Sequence, residues 1–236
     1  MRPTMVLFDL DGTLLPMDND EFTRGYFKLL VKKLAPYGYE PKRLIDTIWA
    51  GVAAMVKNDG GCSNEEAFWA RFAELLGPES LAHRPVIEEF YNVDFQAARA
   101  FCGYNPQAAA TVRLLKEAGL RVALATNPIF PARATQLRIG WTGLAPEEFE
   151  LYTTYENCCS CKPNPAYFVE VAERLGVAPA DCLMVGNDAH EDMVAEQVGM
   201  RVFLLTDCLI NKGSADIDAW PHGGFAELVE FVRGLS

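Results

Sequence analysis

The sequence predicts an α/β protein, a parallel sheet covered by helices with an α-helical bundle inserted after its first strand. Three observations carry this. Short apolar runs at residues 5–8, 121–125, 182–185 and 201–205 break off abruptly at turns or polar residues, as do strands buried on both faces of a parallel sheet. From Asn105 onward, helix-period segments alternate with these runs, the pattern of helices packed on a sheet. Between the first and second runs lie only consecutive amphipathic segments joined by short turns, which form a bundle.

The first run, Met5 to Phe8, stops at Asp9, then Leu10, Asp11 and the small Gly12-Thr13. Helix-spaced apolar residues follow at 21–34 (Phe22, Tyr26, Leu30), ended by Pro36 and Gly38, and at 41–57 (Leu44, Ile48, Val52), ended by Gly60-Gly61. Ser63 and Glu66 have the spacing of a capping box, opening a helix with Phe68, Trp69 and Phe72. Residues 86–91 repeat the spacing once more. The aromatic stripes read as bundle core. Asn105 as N-cap, Pro106 at the first helical position and Gly119 beyond the end bracket the next helix. The strand at 121–125 delivers Thr126-Asn127, 131–139 is helical, and 150–155 is a shorter, more polar strand leading to Cys158, Cys159, Cys161 and Lys162. A helix through Phe168 and Leu175 ends at Gly176, the run at 182–185 gives way to Gly186-Asn187-Asp188 with Asp192 one turn later, and Phe225 to Val232 form a closing helix. The resulting organisation is a sheet domain of residues 1–15 and 104–236, with residues 16–103 inserted above the carboxyl ends of the strands as a lid.

At 236 residues, half of them apolar and 22% charged, the chain has ordinary globular composition and can bury about seven tenths of its unfolded surface. No run approaches the ~18 apolar residues of a membrane span, and the chain enters a strand directly rather than through a secretory signal. A soluble, cytoplasmic protein with no membrane partner is expected. A net charge of -11 argues against nucleic acid, since phosphate backbones require a basic footprint. It does not argue against a small anionic substrate, which feels only the local field of a pocket. The seven cysteines read as reduced thiols. Cys158, Cys159 and Cys161 could hold zinc with His190, but no second CxxC accompanies them and adjacent cysteines chelate awkwardly.

The strand ends carry the chemistry. If the sheet is parallel, Asp9 and Asp11, Thr126, Lys162, and Asp188 with Asp192 gather along one edge. Asp9 and Asp11, two residues apart, repel one another unless a cation intervenes, and hard oxygen ligands favour magnesium. The expected metal set is Asp9, Asp188 and the backbone at Asp11, while Asp192 either ligates through water or orients Lys162. A phosphate monoester is a dianion, so a carboxylate approaches it only where charge is offset, here by magnesium and Lys162. Asp9 then attacks phosphorus, and Asp11 protonates the leaving oxygen and later takes a proton from water. Amides around Gly12, together with Thr126 and Asn127, bind the phosphoryl oxygens.

The blocks FDLDGT, ATN, CKPNP and GNDAHED resemble, in order, motifs one to four of the haloacid dehalogenase superfamily, and the helical insert resembles the C1 cap of its subfamily I. The resemblance implies a Rossmann-like core, magnesium dependence, a cap that opens and closes, and hydrolysis of a small phosphorylated metabolite. It assigns Asp9 as nucleophile, Asp11 as general acid/base, Thr126 and Lys162 to phosphate, and Asp188 with Asp192 to the metal. Motif four often begins Gly-Asp. Here Asn187 follows Gly186, and Asp188 is taken as ligand by its spacing to Asp192. Asp11 weighs against dehalogenation, which needs no leaving-group protonation. A phosphosugar mutase with the same core and a non-catalytic binding protein are the alternative readings. Residues 57–61 are a candidate substrate-reading loop, equally readable as a helix end and turn.

Overall fold

The computed structural model describes residues 3–235. In chain order its main elements are β1 (Met5–Phe8), α1 (Asn19–Leu34), α2 (Pro41–Val56), α3 (Asn64–Leu76), α4 (Arg84–Glu89), α5 (Pro106–Glu117), β2 (Arg121–Leu124), α6 (Ala132–Trp141), α7 (Pro165–Leu175), β3 (Cys182–Gly186), β4 (Arg201–Leu205), β5 (His222–Gly223) and α8 (Phe225–Gly234). The sheet is parallel throughout, in the order β2-β1-β3-β4-β5. This is the Rossmann-like α/β architecture expected. The two-residue strand β5 has no apolar run to announce it, and it forms because Leu204 and Leu205 pair with His222 and Gly223.

Alternation along β1 divides the interior. Val6 and Phe8 point into a large cluster shared with Val112 of α5, Leu228 of α8 and the aromatic residues of the helical insert, whereas Met5 and Leu7 face Phe168 and Val171 of α7. Both sheet faces are therefore buried, which is why the strands read as unbroken apolar runs.

The helix ends obey local chemistry. Asp18 caps α1, Asn105 caps α5 and Asn164 caps α7, and the Ser63–Glu66 capping box is formed in both directions. Residues 86–91 do not make one regular helix: α4 stops at Glu89 and the chain continues through a wide turn at Phe90–Asp94 and a tight one at Phe95–Phe101. The strand expected at 150–155 is reduced to a single bridge between Leu124 and Tyr152. Around it Leu124 N donates to Leu151 O at 2.8 Å and Thr153 N to Leu124 O at 3.1 Å, but the next rung is lost because Thr126 O accepts from Thr153 Oγ1 and the Tyr167 hydroxyl while Tyr155 N turns to Phe130 O at 3.0 Å.

One buried side chain fastens the insert to the sheet-edge loops. Asn64, fully buried at the start of α3, donates to Ser160 O at 3.1 Å and Pro128 O at 3.3 Å and accepts from Asn58 Nδ2 at 2.9 Å. Replacing it strands several buried polar groups, each costing ~1–3 kcal/mol. Asn64→Ala is expected to lower unfolding stability by about 2–4 kcal/mol, read as a lower urea midpoint at unchanged m value.

Candidate active site

Strand register gathers the reactive positions. Phe8 pairs with Leu124 on one side and Val185 on the other, and the ladder extends one step as Asp9 N donates to Val185 O at 2.9 Å and Ala125 N to Phe8 O at 2.7 Å. Asp9, Thr126 and Asn187 thus emerge side by side at the carboxyl edge, where parallel sheets place ligands.

Asp9 is 7% exposed. One carboxylate oxygen accepts from Lys162 Nζ at 3.0 Å, and the other lies 3.0 Å from Thr13 Oγ1, whose single proton is shared between Asp9 and Asn187 Oδ1. Lys162 is buried as deeply and also donates to Asp192 Oδ1 at 2.6 Å, so one ammonium spans two carboxylates. Burial pushes the Asp9 carboxyl up to about 7; Lys162 opposes the rise, while Asp192 and Asp11 add to it. Burial also disfavours the Lys162 cation, but Asp192 and Asp9 outweigh it and hold the ammonium above its ordinary value.

Asp11 takes a different partner. Its Oδ2 accepts from Arg138 Nη1, and its Oδ1 is buried without a hydrogen bond. Arg138 is 1% exposed on α6, with its guanidinium 4.3 Å over the Phe130 ring and 3.3 Å from Thr135 Oγ1. At the fourth block the neighbouring residues divide the work. Asn187 faces Thr13 and donates to Cys208 O at 2.7 Å, whereas Asp188 Oδ1 closes its own turn by accepting from His190 N at 2.7 Å and Glu191 N at 3.0 Å. Asp192 Oδ2 in turn accepts from Asp188 N at 2.9 Å. Gly12 sits at φ +84° against the Asn187 amide and Gly186 lies against Asp192, so a Cβ at either position would collide with a site side chain.

A family model described as haloacid dehalogenase-like hydrolase matches residues 3–199. The chain belongs to that family. Two phosphoglycolate phosphatases are among its relatives: one from Xylella fastidiosa, 30% identical over 84% of this chain and 78% of that one, and one from Cereibacter sphaeroides, 29% identical over 98% of each. Among solved structures, a 2-haloacid dehalogenase from Pseudomonas syringae superposes with a TM-score of 0.66 at 19% identity, covering 99% of this chain and all of that one, which shows a shared fold.

In this haloacid dehalogenase-like hydrolase the remaining expected positions fall as follows. Thr126 is buried, and its carbonyl accepts from Thr153 Oγ1 at 2.6 Å and the Tyr167 hydroxyl at 2.8 Å. Asn127 donates to Glu191 Oε2 at 3.0 Å, while its own Oδ1 is buried and unpartnered. His190 is exposed. The loop at 57–61 is tied to itself, because Asn58 donates to Cys62 O at 2.8 Å as well as to Asn64. Cys158 and Cys161 are buried free thiols; burial pushes Cys158 up to about 12 and raises Cys161 as well. Sequence reasoning missed Thr13 and Arg138, and it set Asn187 second to Asp188 as the motif-four ligand. For Arg138 a signal existed: it lies in helical register with the buried Ala134 and Trp141, so a charge sits on a core-facing stripe.

The donor set fits a hard divalent cation. Asp9, Asp11, Asp188 and Asp192 outnumber the neighbouring cations Lys162 and Arg138, all offer oxygen, and Asp11 Oδ1 is an unsatisfied buried acceptor. Among the described residues no three of these groups already stand as a coordination cage, since Lys162 bridges Asp9 and Asp192.

Removing the shared cation should be costly, because an uncompensated buried charge costs roughly 3–5 kcal/mol. Lys162→Met is expected to lose about that much stability at pH 8. The sign of the pH dependence follows from Asp9: with its folded-state value raised to about 7, the folded chain holds this proton while the unfolded chain releases it, so stability from this group is greatest at acid pH and is lost as pH rises toward 7. The deficit of Lys162→Met should therefore shrink when urea unfolding is repeated at pH 5, and adding Asp192→Asn should restore part of it at pH 8.

Proposed function

We propose that this hydrolase is a magnesium-dependent phosphatase that cleaves a small phosphorylated metabolite, with the phosphoryl group passing transiently to Asp9. The observation that carries this reading is the buried Asp9–Lys162–Asp192 triad at the carboxyl edge of the sheet, with Asp11 two residues beyond the nucleophile. The phosphatase relatives from Xylella fastidiosa and Cereibacter sphaeroides support it.

The roles follow from placement. Thr13 orients one oxygen of Asp9 and Lys162 holds the other, leaving the carboxylate fixed for attack on phosphorus. Attack forms an Asp9–phosphorus bond as the ester oxygen leaves, and Asp11 supplies the proton that oxygen needs. Water then attacks the acyl phosphate, Asp11 takes its proton, and inorganic phosphate departs with Asp9 restored. Lys162, with the Thr126 hydroxyl, Asn127 and the amides at Gly12, binds the phosphoryl oxygens. Magnesium, held by Asp9, the Asp11 backbone and Asp188 or Asn187, with Asp192 alongside, would offset the charge of the incoming dianion. Asp192 has a defined duty in addition, since it anchors Lys162 at 2.6 Å. Residues 16–103 act as the cap over this edge, and residues 1–15 with 104–236 form the core.

Release of inorganic phosphate from a panel of phosphomonoesters should require magnesium and fall at least about 1,000-fold in Asp9→Asn, while Asp11→Asn should lose about 100- to 10,000-fold. Turnover that persists in EDTA, or in Asp9→Asn, would overturn the mechanism. Magnesium at about ten times its dissociation constant should stabilise the native chain by roughly 1.4 kcal/mol, a rise in Tm of about 3–5 °C, and thermal unfolding of Asp9→Asn should show a smaller rise.

A further inference from the structure

Asp11 and Arg138 form a second ion pair at the catalytic edge, and the roles assigned so far leave Arg138 without a duty. Arg138 is 1% exposed, and none of its three side-chain nitrogens is idle. Nη1 donates to Asp11 Oδ2, Nη2 to Thr135 Oγ1 at 3.3 Å and Nε to the Ala134 carbonyl at 3.4 Å. The Phe130 ring closes one face of the guanidinium at 4.3 Å. Arg138 also lies in the last turn of α6, where a cation meets the negative end of the helix dipole. Held by its own helix and by a ring, the head has little freedom to follow Asp11. Asp11 must come to it.

Two observations separate this pair from a structural clamp. A clamp built for strength would set the guanidinium fork against both carboxylate oxygens, yet the contact is through Oδ2 alone, and Oδ1 is buried with no hydrogen bond. A bare buried acceptor is unfavourable, and apolar residues of similar volume often match or better a buried ion pair in stability. Stability therefore explains the pair poorly, whereas aim explains it well. Asp11 is also close enough to Asp9 for its charge to be felt there, and its backbone rather than its side chain is the part assigned to the metal. Oδ1 is left free to handle a proton.

We propose that Arg138 is a positioning residue for proton transfer: by holding Oδ2 it fixes the Asp11 carboxyl so that Oδ1 is the one oxygen that exchanges the proton. The inference rests on the phosphatase reading above. As an Asp9 oxygen bonds to phosphorus and the bond from phosphorus to the ester oxygen breaks, the proton on Oδ1 passes to that leaving oxygen. Water then attacks phosphorus, Oδ1 takes a proton from it as the Asp9–phosphorus bond breaks, and both carboxyl groups return to their starting forms. Only an alcohol that would leave as a strong base needs the proton. A misaimed Asp11 therefore slows alkyl esters and spares esters whose oxygen leaves readily.

The test compares benzyl phosphate with 4-nitrophenyl phosphate, similar in size but far apart in leaving-group basicity, on the native chain and on Arg138→Met. The quantity read is kcat/KM, which reports events up to release of the alcohol. Arg138→Met is expected to lose about 10- to 100-fold on benzyl phosphate and to stay within about threefold on 4-nitrophenyl phosphate, whereas a merely structural role would lower both alike. Arg138→Lys should recover part of the benzyl phosphate loss, and it takes the place of Arg138→Met if that variant does not fold, again with the alkyl ester losing more. In an Asp11→Asn background the Arg138 substitution should change kcat/KM by less than about threefold, measured on the phosphomonoester that the native chain cleaves best. The magnesium concentration for half-maximal activity should be the same for Arg138→Met and the native chain. Equal effects on the two esters, losses that add to that of Asp11→Asn, or a weakened response to magnesium, which would make Oδ1 a metal ligand, would overturn the proposal and leave the phosphatase reading standing. Turnover of no phosphomonoester by the native chain would remove that reading, and this inference with it. Thermal unfolding of each variant confirms that it is folded.

Discussion

The ammonium of Lys162 lies between two carboxylates, 3.0 Å from Asp9 and 2.6 Å from Asp192, with all three side chains almost wholly buried. Burial favours the neutral forms of Asp9 and Lys162, and the attraction between the ammonium and the carboxylates opposes it. The surrounding chain is arranged around that constraint. The parallel register brings Asp9 beside Gly186, the absence of a side chain at Gly186 leaves space for Asp192, and the tight turn after Asp192 keeps its carboxylate directed inward. Burial raises the Asp9 carboxyl, with Asp192 and Asp11 adding to the rise against Lys162, and the surplus of acids over cations at this edge suits a divalent metal.

Arg138 performs a parallel task on the other side of Asp9. By binding Asp11 from beneath, it ties the residue assigned to proton transfer to α6 rather than to the strand that carries it. Phe130 then serves two neighbours, receiving the guanidinium on its face and closing the aromatic cavity. The catalytic edge and the insert thereby meet through stacked side chains as well as through the backbone, and Asn64 fastens the same junction with hydrogen bonds to Pro128 and Ser160.

Much of the design was legible because its signals are local. Strands buried on both faces must be continuously apolar, and β1, β2, β3 and β4 were readable for that reason; helix caps depend on side chains a few residues away, so Ser63–Glu66 and Asn105 declared themselves. Where the outcome depended on competition between backbone and side chain, local reading failed. The strand at 150–155 gave out after Tyr152 because Thr126 O was taken by the Thr153 and Tyr167 hydroxyls, and β5 exists only because a neighbouring strand edge was there to pair with.

The sequence by itself determined the sheet class, the helical insert and the set of acids, lysine and threonine at strand ends, because periodicity and abrupt polar junctions are properties of contiguous residues. Only the tertiary structure decided that Lys162 is shared by Asp9 and Asp192, that Arg138 binds Asp11, and that aromatic residues of the insert line a cavity. Those outcomes rest on residues far apart in the chain and on the exclusion of water between them, and no local pattern encodes either.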